Sequence, residues 1–559
     1  MAKNSKLLTV LLIIIGCFGI GYGAGMLISA LRMPKDGEQK IIICATSDIH
    51  GAYFDSLYIS GEANKTSMAN VSQYLKDLRA AGEKPVVIDN GDNLQGNNAA
   101  YYFNYVATKE KHVFSKIVDY MGYDAVVLGN HDIEAGHEVY DRIAREIRRP
   151  YLAANAALDL DENGVADMDE GKSKTKTASD SYFLPYCVIR RDGIRIAVIG
   201  MTNGNIKNWL SSSQWHGIDF QIASDIAQGL VDEVIEKEKP HLVVVSIHSG
   251  KGSDNADREN EAYYLATHVK GVDLVISGHD HKPVAQVCEN EDGKQVLLMN
   301  PGWSCIAVAQ AEFLLDIKDD KVVSSSVSSR IIPMTEVPVD PDYVAYFKED
   351  YNKVRDFACR PVGELADDIY FADALEGPST FINLLQKVQL SASGADISFA
   401  APLTSRGFVK KGTVAFQDLA TIYRFENQLY VVKLTGAQVK DYLEMSYDNW
   451  VNGVQPSYNW DSADGIIYTV SKSAPKGSRV NIVSMSDGSA FDPGKSYDVA
   501  MTSYRASGGG YLLRDGAGVD PREVEIVEQY KDIRSLIYEY MQREQVITPT
   551  VSDNWSFVD

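Results

Sequence analysis

Five hundred and fifty-nine residues, 45% of them hydrophobic, are enough for two or three domains with substantial buried cores. The 54 Lys and Arg stand against 76 Asp and Glu, a net charge of −22. This excludes a nucleic-acid polymer as the main partner, since that binding needs a basic stripe, but leaves open small anionic substrates wherever bound cations outweigh the distant surface.

The chain begins with an apolar run, LLTVLLIIIGCFGIGYGAGMLISAL, over residues 7–31, preceded by Lys3 and Lys6. At ~1.5 Å per residue it spans roughly 37 Å, enough for a tilted transmembrane helix, so residues 1–40 are predicted as a signal anchor and its linker. A second reading stays open, because IIGC (14–17) has the form of a bacterial lipoprotein box with Cys17 as the lipidated residue.

Six apolar runs follow, each of the kind that forms a buried parallel strand. Five of them end on metal-ligand side chains: IIICATSDIH on Asp48 and His50, VVIDNGD on Asp92, AVVLGNHD on Asn130, His131 and Asp132, LVVVSIHS on His248, and LVISGHDH on His279 and His281. The remaining run, IRIAVIGMTN (194–203), supplies no obvious ligand. Ligands collect beyond the carboxyl edge of such strands, so the five ends are expected to converge. Mixed carboxylate, amide and imidazole donors suit two borderline divalent ions, drawn from Mn, Zn, Fe, Co or Mg. Asp48, His50 and His281 would serve one ion and Asn130, His248 and His279 the other, with Asp92 bridging. Two cations lower the pKa of a shared water and clamp a phosphoryl group for displacement. His131 is the candidate proton donor to the leaving oxygen, with Asp132 holding the imidazole protonated. The glycines of GNHD and GHDH let the backbone bend just past a strand.

Helical spacing marks 67–82, 101–120 and 221–239 between these strands. An acidic insertion, DLDENGVADMDE (159–170), fits a twelve-residue calcium loop with Asp159, Asp161, Asn163, Val165 through its carbonyl, Asp167 and Glu170 as ligands. No helix is expected after it, so a solvated acidic loop is the other reading. The six cysteines show no CxxC and no regular spacing, which argues against a disulfide framework, and Cys44 lies inside a strand as a small core residue. The catalytic unit, 41–335, ends after NPGW (300–303). Residues 336–360 form a linking helix opened by Asp340-Pro341. A second unit, 361–559, opens with helical FINLLQKVQL and adds short strands and Gly/Ser turns.

The ordered set DxH, GD, GNHD, H and GHxH resembles the calcineurin-like metallophosphoesterases. Over about residues 41–545 the chain is similar to the superfamily of 5′-nucleotidases and 2′,3′-cyclic-nucleotide phosphodiesterases/3′-nucleotidases. The resemblance implies an α/β fold, with a four-layer αββα catalytic domain and a smaller α+β substrate-binding domain. It implies the same ligand assignment and a site facing out of the cytoplasm, here on a bacterial cell envelope. It also implies Arg406, six residues before Gly412, as a substrate contact, and a nucleobase sandwich between Phe425 and Tyr504. Where 5′-nucleotidases carry GGD this chain has Gly508-Gly509-Gly510. YRASGGG, YRFENQL and DGIIY instead resemble the cyclic phosphodiesterase/3′-nucleotidase branch. The expected activity is two-metal hydrolysis of 2′,3′-cyclic and 3′-nucleotides. The alternatives are a 5′-nucleotidase with UDP-sugar hydrolysis, and a catalytically silent surface nucleotide binder.

Overall fold

A computed structural model describes residues 33–159 and 180–559, apart from Ala256 and Glu426. Its first part is built on two six-stranded sheets. In the first, Gly37–Thr46 lies parallel to Val86–Asp89, which is followed by Ala125–Val127 and Tyr151–Leu152, with the antiparallel pair Ala307–Lys318 and Lys321–Pro333 on the other side. In the second, Leu242–Ile247 sits between parallel Ile194–Met201 and Leu274–Ile276. Antiparallel strands close both of its edges.

The inner strands are continuous Val/Ile/Leu runs because both of their faces are covered. Ile41, Ile43, Val86 and Ile88 of one sheet meet Ile196, Val198, Val244, Leu274 and Leu297 of the other in a core with no helix in it. Helices Met68–Ala80, Val113–Met121 and His137–Glu146 pack on the outer face of the first sheet, and Ala223–Glu238 and Ala262–His268 on the second. That gives the four layers, helix–sheet–sheet–helix.

The helix expected over 101–120 is broken. The chain forms Asn98–Tyr101, a π-helical turn Tyr102–Val106 and a separate helix Val113–Met121. Buried His112 causes the restart. Its Nδ1 accepts the N–H of Phe114 at 3.1 Å, and its Nε2 donates to Asn104 Oδ1 at 3.0 Å, capping the first turn in place of the usual Ser or Asp.

Helix Pro341–Ala358 opens at Asp340, whose carboxylate accepts the N–H of Asp342 at 3.0 Å with Pro at the first position. It buries Tyr343, Phe347 and Val354 in the catalytic core and delivers Phe357 to the core of the second part. There a five-stranded sheet is ordered Ser462–Asp464, Ile397–Ala400, Ser496–Thr502, Gln428–Thr435, Ile526–Asp532. Helices Thr380–Ser393 and Ile533–Glu544 cover one face and Gly436–Val451 the other. Direct bonds join the two parts, among them Tyr430 Oη to Ser211 Oγ at 2.6 Å and Gln95 Nε2 to the Arg424 carbonyl at 3.3 Å. No helix among the described residues is long and apolar enough to cross a membrane.

Candidate active site

All five strand ends arrive at one place. Asp48, His50 and His281 bring ligand atoms within 4.8 Å of one another, and Asp92, His248 and His279 form a second such group. Backbone bonds fix the loops together: the N–H of Asp48 donates to the Gly91 carbonyl at 2.8 Å and that of His50 to the Asp92 carbonyl at 3.0 Å. Asp48, His50, Asp92, His279 and His281 all adopt left-handed backbone, with φ between 49° and 67°. Such conformations cost about 1–3 kcal/mol each and persist where the surroundings dictate them. Gly129 matters for closeness rather than bending, since a Cβ there would lie 2.1 Å from Asp92 Oδ1.

The donor set fits two divalent cations. His248 gives its Nδ1–H to the Asn90 carbonyl at 2.7 Å, which leaves Nε2 facing the ligand cluster, buried and without a hydrogen bond although Asp92 Oδ2 lies 3.0 Å away. His50 and His281 point their Nε2 atoms at each other, 3.1 Å apart, and His281 Nε2 is 3.3 Å from Asp48 Oδ1. Asn130 Oδ1 and His279 Nδ1 face one another at 3.0 Å. Burial alone would raise the Asp92 carboxyl, but His248 and then His131 hold it well below the carboxylate range. Burial opposes a proton on His248, yet Asp92 and Asp48 raise its pKa to about 10. A protonated imidazole thus supplies the positive charge that two buried carboxylates require, and a cation at Nε2 would supply it instead.

His131 donates its backbone N–H to Asp92 Oδ1 at 2.8 Å, tying the candidate proton donor to the expected bridge. Its imidazole does not meet Asp132, contrary to the expectation from sequence. Asp132 is buried and turned inward, accepting the N–H groups of Gly129, Asp92, Asn93 and Leu94 at 2.8–3.1 Å. Four backbone donors out-compete one imidazole for it. The partner is Glu134, whose Oε2 bonds His131 Nδ1 from three residues on along the short helix Asn130–Glu134. Burial lowers the His131 pKa, but Asp92 and Glu134 outweigh it and raise the value to about 9.

His131, Glu134 and His279 open into a cavity of about 1550 Å³ whose other wall comes from the second part of the chain and carries Phe425 and Tyr504. Tyr458 lies between them, with ring centroids 6.3 Å from Phe425 and 6.4 Å from Tyr504 and planes near perpendicular to both. Buried Arg505 spends all five N–H groups on this wall: two on Asp461, one each on Asn459 Oδ1 and the carbonyls of Gly509 and Tyr458. Gly510 has φ +73°, a backbone conformation that side chains rarely adopt, and a Cβ there would lie 2.3 Å from Asn459 Oδ1 and 2.4 Å from Arg505 Nη1, so an acidic residue here would be strained and would displace those groups. Arg406 departs from the expectation. It is exposed and outside the cavity lining, because its loop turns away at Gly407 into the outer strand pair Phe408–Val409 and Ile369–Tyr370.

Family models match a calcineurin-like phosphoesterase over residues 41–283 and a 5′-nucleotidase C-terminal domain over 361–513. This chain belongs to the two-domain phosphoesterases of that family. The trifunctional nucleotide phosphoesterase protein YfkN of Bacillus subtilis is 24% identical over 92% of this chain, which spans 38% of that relative's length. The 2′,3′-cyclic-nucleotide 2′-phosphodiesterase/3′-nucleotidase of Salmonella typhimurium is 25% identical over 92% of this chain and 88% of its own. The fold is shared with a Staphylococcus aureus chain assigned as a 5′-nucleotidase, at TM-score 0.76 and 21% identity over 93% of this chain and 100% of that one. A Thermus thermophilus 5′-nucleotidase precursor follows at 0.64 and 20%, over 93% and 100%.

In this phosphoesterase several site residues escaped the sequence reading. Glu134 had a signal, since positions three apart share a helix face. Trp209 stacks on His279 with centroids 5.3 Å apart and planes at 15°, and Trp303 on His281 at 5.4 Å and 8°. Trp303 closes the NPGW segment that marked only a domain end, Trp209 sits in a turn and Tyr458 in the single 3-10 turn Ser457–Asn459, both too short for periodicity. Of the acidic segment only Asp159 is described, buried with its N–H on the Gly217 carbonyl at 3.0 Å. Asp161, Asn163, Val165, Asp167 and Glu170 lie outside the described residues, as do 7–31 and Cys17.

Proposed function

We propose that this enzyme hydrolyses 2′,3′-cyclic nucleotides and 3′-nucleotides by metal-assisted phosphoester cleavage. The observation that carries this is one cavity lined at one side by the candidate ligands Asn130 and His279 with His131 and Glu134, and at the other by Phe425, Tyr458 and Tyr504. Divalent cations held by Asp48, His50 and His281, and by Asn130, His248 and His279, with Asp92 shared, would polarise phosphoryl oxygens and make water nucleophilic at neutral pH. The chain's own groups do the rest. Glu134 fixes the His131 ring through Nδ1, and its charge favours the protonated imidazole. Nε2 is then free to give a proton to the departing ribose oxygen as the oxygen of water bonds to phosphorus and the P–O bond to the ribose breaks. The aromatic wall stacks the base at roughly 1–3 kcal/mol per face, with little regard for base identity.

Gly510 in place of an acidic residue supports the cyclic and 3′-esters over 5′-nucleotides, as do the relatives named for the former activity. A silent binder would have no use for the His131–Glu134 pair. The apolar run 7–31 supports a membrane anchor with the catalytic domains outside a bacterial cytoplasm. Retention of the full-length chain by membranes after a high-salt wash tests that placement, and its release would refute it.

The activity is tested by kcat/KM in Mn²⁺ for 2′,3′-cyclic AMP, 3′-AMP and 5′-AMP, with His131→Asn alongside. The cyclic ester should lead and the variant should lose turnover. Preference for 5′-AMP would overturn the substrate assignment, and absence of any turnover the enzyme itself.

A further inference from the structure

His279 is held on every side but one. Its Nδ1 faces Asn130 Oδ1 at 3.0 Å, its ring lies flat against Trp209, and its Nε2 is 3.2 Å from Glu259 Oε1. With Nε2–H donated to Glu259, Nδ1 carries the lone pair and is the ligand atom. Glu259 belongs to none of the strand-end motifs. It lies in the loop GKGSDNADREN (250–260), and its main chain there is pinned: the Glu259 carbonyl accepts from Ser249 Oγ at 2.7 Å, Asn203 Nδ2 at 2.9 Å and the Gly250 N–H at 3.3 Å. The next but one residue, buried Glu261, accepts the N–H groups of Ala223 and Ser224 at the start of helix Ala223–Glu238. A surface loop so anchored delivers a carboxylate to one fixed point. Glu259 also faces the substrate wall, where burial and then its charge hold the Tyr458 phenol above its ordinary value.

We propose that Glu259 is a positioning residue for the metal ligand His279, forming a carboxylate–imidazole–metal series that sets the ring's tautomer and its hold on one of the two cations. This deepens the two-metal reading and rests on it. Carboxylates placed behind a ligating imidazole raise its basicity, and their loss typically weakens metal binding 10–100-fold.

The experiment strips the full-length protein of metal and titrates Mn²⁺ by calorimetry, with electron paramagnetic resonance to follow the spin-coupled pair. Wild type should take up two ions. Glu259→Ala should weaken one uptake step about 10–100-fold and leave the other unchanged, with the coupled signal appearing only at higher Mn²⁺. Glu259→Gln, whose amide oxygen still accepts from Nε2–H, should recover part of the loss, and Arg258→Ala should titrate as wild type. Wild-type titration by Glu259→Ala would overturn the proposal. So would equal weakening of both steps with a lowered melting temperature of the metal-free protein, which is a structural defect. Because no nucleotide is present, a protein that binds both ions in this pattern yet turns over no ester overturns the substrate reading alone.

Discussion

Glu134 Oε2 bonds Nδ1 of His131 from one helical turn on, while Asp132, the immediate neighbour, points the other way into a nest of four backbone N–H groups. Two acids beside one histidine therefore have different work, one on the imidazole and one on the loop that carries Asp92.

Their substitutions should separate accordingly. His131→Asn removes the proposed proton donor and should lower kcat about 10²–10⁴-fold. Glu134→Gln leaves the ring in place without its charge and should lower kcat by part of that, with the alkaline limb of the pH–rate profile moving down toward neutrality as the imidazolium is destabilised. Asp132→Asn replaces a four-fold acceptor with a group that also carries donors. It should destabilise the fold by about 1–3 kcal/mol in urea unfolding. An Asp132→Asn protein as stable as wild type, with Glu134→Gln fully active, would reverse the assignment.

The aromatic wall gives a test that leaves the metals alone. A Cβ on Gly509 would lie 2.4 Å from the Tyr504 ring, so Gly509→Ala must push that ring aside. KM for the preferred nucleotide should rise while kcat at saturation stays near wild type. Phe425→Ala should raise KM about 5–150-fold, the equivalent of 1–3 kcal/mol of stacking. Steady-state kinetics decide both, and unchanged KM values would remove base stacking from the site.

The convergence of the candidate ligands was legible because each follows an apolar run, and parallel strands buried on both faces announce themselves in sequence. The four-layer order followed from those same runs. What stayed hidden depends on directions that spacing does not encode. Asp132 and Glu134 are both near His131 in sequence, and only the loop's N–H groups decide which acid is left for the imidazole. Arg406 has the right spacing to Gly412 and Phe425 but sits on a loop that turns outward at Gly407. Trp209 and Glu259 come from irregular loops and Tyr458 from a single 3-10 turn, and their contacts arise only on folding. The helix expected over 101–120 breaks because His112, an ordinary residue by pattern, caps a new one.

Chelation should cost stability as well as activity. With the cations gone, Asp48 and Asp92 depend on the histidines for compensating charge, and binding to the folded state alone contributes about 2.7 kcal/mol at a free metal concentration 100 times Kd. Differential scanning calorimetry should show Tm falling on EDTA treatment and returning with Mn²⁺. An unchanged Tm, with metal loss verified by elemental analysis, would mean that the donors are not ligands.

His112 offers a pH dependence away from the metals. Burial first, then Arg142 and Lys116, hold its pKa well below 6.5, and both ring nitrogens are committed, one accepting and one donating. Above pH 6.5 the ring is neutral folded or unfolded, and its contribution is fully present. As pH falls below 6.5 the unfolded chain binds a proton that the folded chain refuses. Unfolding free energy then drops by up to ~1.4 kcal/mol per pH unit until the folded pKa is reached. His112→Asn keeps an N-cap acceptor but cannot titrate. Its urea midpoint should be lower than wild type at pH 7.5, and the gap should narrow steadily toward pH 5. Parallel curves for the two proteins over that range would show that the imidazole is free to protonate in the folded state.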